Sequence, residues 1–73
     1  MEEKSAPLVF GKDGCPYTEA ALEAFAQRGI QATYIDVKKD PAELERMLTF
    51  SGGKRRVPVI VDGGKVTIGF GGT

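Results

Sequence analysis

The 73-residue chain predicts a small α/β fold with element order βαβαββ and a mixed sheet of four strands. Three observations lead there. A short apolar run at the start, "PLVFG", is stopped by a glycine. "DPAELERML" carries the marks of a helix start. The chain then closes with two apolar segments, "VPVIV" and "KVTI", separated by "DGG", which reads as a hairpin.

Taken in order, residues 1–6 read as a disordered tail. "PLVFG" (7–11) has the look of a strand buried on both faces. From Pro16 to Gln27 the pattern suits a helix, with Ala21, Leu22, Phe25 and Ala26 as its apolar stripe and Gly29 where a C-terminal cap is expected. "QATYIDV" (31–37) alternates as a strand does. In the second helix Asp40 can cap the end, Pro41 fits the first turn, and Glu43 can complete a capping box. Its core face is Leu44, Met47 and Leu48. Strands over 57–61 and 65–68 flank the turn at 62–64. The first βαβ unit should be parallel with a right-handed crossover, and the last two strands antiparallel. No helix is expected after "GFGGT".

Size and composition limit what such a fold can do. A chain this short is one domain, 1–73, and its apolar residues are largely committed to a single core. Hydrophobic content of 41% with 27% charged residues describes a soluble globular protein. No apolar run approaches the roughly 20 residues that span a bilayer. The opening "MEEKSAPLVF" lacks the pattern of a targeting peptide, so a cytoplasmic location and a monomer are expected. Ten basic residues balance ten acidic ones, which gives no general field for nucleic acid or a membrane surface. One cysteine and no histidine exclude an internal disulfide and a Cys/His zinc site. A small molecule or a protein thiol is the expected partner.

The cysteine lies in "GKDGCPYT", just before the first helix. At that N-cap position the unpaired amide hydrogens and the helix dipole favour a thiolate over a thiol. Lys12 can bring an ammonium near the sulfur of Cys15. Thr18, three residues on, can direct a hydroxyl at it. Both effects lower the thiol pKa from its free value of about 8.5, whereas Asp13 and Glu19 should oppose them. The alternative is a small buried apolar side chain. The loop-to-helix position and the following proline favour the reactive thiol.

"KDGCPYT" and "GGKRRVPVIVDGGKVTIG" together resemble the two signature segments of the glutaredoxins, members of the thioredoxin-fold superfamily. The likeness covers nearly the whole chain and implies a thioredoxin-like fold without its C-terminal helix. It also implies that Cys15 is the nucleophile of a thiol-disulfide oxidoreductase with glutathione as co-substrate. Pro58 would be a cis-proline, and Val57 would present its backbone to the cysteinyl part of glutathione; on the residues alone, a proline at a strand edge or bulge is the alternative. Lys54 and Arg55, with Lys12, match the positions that hold the glycine carboxylate. Tyr17 matches the aromatic beside the thiol, and Gly71 and Gly72 fall where backbone amides receive the γ-glutamyl end.

Three positions depart from the pattern. Arg56 stands where most relatives have threonine, and Phe70 interrupts a Gly-Gly pair. Thr18 replaces the second cysteine, so turnover must pass through a mixed disulfide with an outside thiol. A monothiol deglutathionylation follows, with glutathione and protein mixed disulfides as partners. Two other functions remain open at this point. One is a homodimer holding a [2Fe-2S] cluster through two copies of Cys15 and two glutathione thiolates. The other is a thioredoxin-fold module that binds without turnover.

Overall fold

The computed structural model describes residues 6–70. The elements are β1 (Leu8–Gly11), α1 (Pro16–Gln27), β2 (Thr33–Asp36), α2 (Pro41–Ser51), β3 (Val59–Asp62) and β4 (Lys65–Ile68). This is the expected βαβαββ order. The four strands form one sheet in the order β2-β1-β3-β4. β1 runs parallel to β2, with Leu8 opposite Thr33, and antiparallel to β3, with Val9 opposite Ile60. β3 and β4 are antiparallel, joined by the turn at Gly63 and Gly64, where both residues take positive φ, as a tight hairpin turn requires.

β1 is central because its residues are apolar towards both faces. Successive side chains on a strand point to opposite sides. Val9 therefore joins Ala21, Phe25 and Ile60 under α1, while Phe10 joins Val37, Met47 and Val59 under α2. Val9, Phe10 and Val59 are fully enclosed. Burying one such side chain contributes about 1.5–3 kcal/mol, so this two-sided core supplies much of the driving force available to so short a chain.

The helices start where expected, with two corrections to their side chains. The inner stripe of α1 is Thr18, Ala21 and Phe25, and Ala26 is exposed. Ala26 sits one residue past Phe25, about 100° further round the helix and off the sheet. In α2, Asp40 caps through its own carboxylate, which accepts from the Ala42 N–H at 3.0 Å. The Glu43 side chain does not complete the box; it pairs instead with Arg46 at 3.1 Å, one turn along the same face. α2 ends at Ser51, and Gly52 follows in the left-handed conformation.

β3 begins at Val59, later than the expected 57. Pro58 has no N–H for a ladder, and its carbonyl accepts instead from Gly69 N–H at 2.7 Å, which ties the end of the hairpin to the proline. Among the described residues no helix follows β4, and none is long and apolar enough to cross a membrane. Residues 1–5, within the expected tail, and Gly71 and Gly72 lie outside the described residues.

Candidate functional site

Cys15 occupies the N-cap of α1, with Pro16 in the first turn. Its side chain makes no capping hydrogen bond. The loop that delivers it is a tight turn in which Cys15 N–H reaches the Lys12 carbonyl at 3.4 Å. Only 7% of the residue is exposed. Tyr17, two residues on, is 41% exposed.

The residue that most alters the sulfur is Thr18. Its hydroxyl lies at the Cys15 side chain, and its attraction for the ionised form is the largest influence holding the thiol below its ordinary range. The N–H groups of Thr18 and Tyr17 act in the same direction, and the Lys12 charge adds to them, while burial works the other way. Thr18 Oγ1 is buried and has no completed hydrogen bond. A thiolate accepts far more strongly than a thiol, so this donor finds its partner when the sulfur ionises.

Gly11 makes that arrangement possible. A Cβ at position 11 would collide with the Thr18 side chain, its Cβ 3.0 Å away and its outer atoms closer still. The glycine that ends β1 thus admits Thr18 against the strand, with the hydroxyl next to the sulfur.

Asp13 has close partners of its own. Its carboxylate accepts from the Tyr34 hydroxyl at 2.8 Å and pairs with Lys39 at 3.1 Å, and both hold its pKa below the usual range. Glu19 is exposed. Its place in the first turn of α1 sets its charge beside the positive end of the helix dipole.

The Val57–Pro58 peptide is cis. Val57 lines a cleft of about 420 Å³ whose apolar wall also includes Val37, Leu44 and Met47. Lys12, Lys38 and Arg55 also line this cleft. Three of the residues singled out in the sequence, Lys12, Arg55 and Val57, therefore share one surface, and Lys12 also acts on the Cys15 sulfur. Lys54 is exposed and stands outside this lining, as does Arg56. The backbone of Lys54 has a clear role: its carbonyl accepts from the buried Ser51 hydroxyl at 2.7 Å, which anchors the loop carrying Arg55 and Val57 to the end of α2.

Reading by sequence overlooked Lys38, Ser51 and the Tyr34–Asp13–Lys39 group. The only local signal for them is "VKKD" directly after the second strand. It cannot separate Lys38, which faces the cleft, from Lys39, which pairs with Asp13.

The chain combines an N-cap cysteine followed by proline, a cis-proline before β3 and a four-stranded mixed sheet. The glutaredoxin family model matches residues 8–67. The chain belongs to the glutaredoxin family. No curated protein matches it significantly. Among solved structures it is similar to the glutaredoxin Grx-1 from Archaeoglobus fulgidus, at 27% identity and a TM-score of 0.79, over 89% of this chain and 75% of that one. A glutaredoxin fold and family suggest thiol redox chemistry, and the lowered thiol pKa of Cys15 is consistent with it. The glutaredoxin-like domain here carries a single thiol.

Proposed function

We propose that this glutaredoxin is a monothiol, glutathione-linked thiol-disulfide oxidoreductase. The observation that carries the reading is an activated lone cysteine with a buried threonine hydroxyl three residues on, where a resolving thiol would have to stand. The Cys15 thiolate attacks the glutathione sulfur of a protein mixed disulfide. The Cys15–glutathione bond forms, the protein–glutathione bond breaks, and the protein thiolate leaves and takes a proton from solvent. A second glutathione thiolate then attacks the glutathione sulfur held on Cys15, which releases oxidised glutathione and restores the Cys15 thiolate.

Thr18 serves both halves of this cycle. It stabilises Cys15 as the attacking thiolate and again as the leaving thiolate. Lys12 and Arg55 would hold the glycine carboxylate, with Lys54 adding charge from outside the cleft. The Val57 main chain would align the cysteinyl part, and the exposed Tyr17 ring would cover it.

The test is reduction of a glutathionylated protein by glutathione, followed by release of oxidised glutathione. Turnover is expected with the parent chain and none with Cys15→Ser, and mass spectrometry should trap one glutathionyl group on Cys15. Absence of turnover together with an ordinary thiol pKa would leave only a binding module.

A further inference from the structure

The segment from Lys54 to Pro58 lies outside every helix and strand, and it carries Arg55 and Val57 to the cleft. Among the described residues two hydrogen bonds hold its backbone. At one end Gly69 N–H donates to the Pro58 carbonyl at 2.7 Å. At the other the Ser51 hydroxyl donates to the Lys54 carbonyl, also at 2.7 Å. Between Ser51 and Lys54 stand Gly52 and Gly53, both at positive φ, with no side chains of their own to restrain the turn. Ser51 also has a local alternative that it does not take. Thr49, on the same helix, donates back to the Glu45 carbonyl at 3.1 Å, a common bond for a hydroxyl within a helix. Ser51, only 4% exposed, turns forward instead and closes the turn across the two glycines. Lys54 is an exposed residue, so water can replace the hydroxyl at its carbonyl. The bond therefore bears more on where the loop stands than on whether the chain folds.

We propose that Ser51 is a positioning residue for the cleft: its hydroxyl fixes the turn after α2 so that Arg55 and the Val57 main chain already stand where glutathione meets them. The proposal rests on the glutathione-linked reading above and deepens it by a residue that the ligand does not touch. Ser51 does not line the cleft, whereas Arg55 and Val57 do. What it contributes to binding therefore passes through the loop. A loop held in its binding arrangement before the ligand arrives avoids the entropy cost of being ordered on contact, and that saving appears as affinity.

S-methyl glutathione cannot exchange, so titration calorimetry with it reads binding apart from chemistry. Ser51→Ala should weaken its binding about three- to tenfold with the number of binding sites per folded chain unchanged. A purely structural role would instead lower the number of competent sites and leave the dissociation constant alone. Ser51→Thr keeps the hydroxyl and should restore the affinity to within about twofold of the parent chain. The losses caused by Ser51→Ala and Arg55→Gln should be less than additive in the double variant, because both act through the same loop. In turnover of a glutathione mixed disulfide, Ser51→Ala should raise KM by a larger factor than it lowers kcat. Parent affinity in Ser51→Ala, strictly additive losses with Arg55→Gln, no recovery in Ser51→Thr, or no measurable binding by the parent chain overturns the proposal. Because calorimetry needs no turnover, a chain that binds as described yet fails to reduce mixed disulfides would lose the oxidoreductase reading and keep this one.

Discussion

The Tyr34 hydroxyl donates to Asp13 Oδ1 at 2.8 Å, joining the edge strand β2 to the loop two residues before the cysteine. Lys39 takes the other carboxylate oxygen at 3.1 Å and approaches Asp36 at 4.0 Å. Burial and the Asp13 carboxylate raise the Tyr34 phenol far above its ordinary range, so it stays a donor at every physiological pH. The group occupies a carboxylate that would otherwise be free to repel the Cys15 thiolate.

Releasing that carboxylate should raise the Cys15 pKa. The double variant Tyr34→Phe/Lys39→Gln is expected to move the pH midpoint of iodoacetamide alkylation upward, and adding Asp13→Asn should bring it back. An unmoved midpoint in the double variant would show that Asp13 is held for the sake of the loop alone.

Thr18→Val keeps the shape and removes the hydroxyl. Alkylation of Cys15 at neutral pH should slow severalfold, because the largest influence stabilising the thiolate is gone. The sign of the stability effect follows from the depressed folded-state pKa. The thiolate contributes stability that is fully present above the unfolded thiol pKa, about 8.5, and is lost as pH falls through the lower folded value. The urea midpoint of the parent chain should therefore gain on that of Thr18→Val as pH is raised from 6 to about 9.

Gly11→Ala should destabilise the fold by about 1–3 kcal/mol, since the new Cβ has no room against Thr18. Thr18→Ala in the same chain should recover part of that loss, which makes the pair non-additive in denaturant titrations. Additive costs would mean that the glycine serves some purpose other than admitting Thr18.

Met47 is 1% exposed, packs under Phe10 and Val59, and forms part of the cleft wall. Met47→Ala should cost about 2–5 kcal/mol in urea unfolding and weaken ligand binding in the cleft as well. Leu44→Met, which roughly conserves volume on the same wall, should cost less than about 1.5 kcal/mol and serves as the comparison.

Much of the fold was legible because its signals are local. "PLVFG" announces a strand apolar on both faces, and β1 is indeed an interior strand with a neighbour on each side and a helix on each face. Asp40 and Pro41 mark the start of α2 within one turn. The capping box was misread because Glu43 had a choice between the helix start and Arg46, and both options fit the same spacing. Ala26 was misread because alanine is apolar enough to join a stripe and small enough to stand outside it, while Thr18, a polar residue, is the one enclosed.

The sequence by itself determined the order of the elements, the lone cysteine at a helix start and the threonine three residues after it, because these depend on neighbours within one helical turn. Only the tertiary structure decided how those parts act on one another. Asp13 turns to Tyr34, twenty-one positions away, rather than to the sulfur. Of two adjacent lysines, Lys38 faces the cleft and Lys39 closes an ion pair. Charge and hydrogen bonding act over a few ångströms of space, and no spacing along the chain states which distant residues the sheet will bring within that reach.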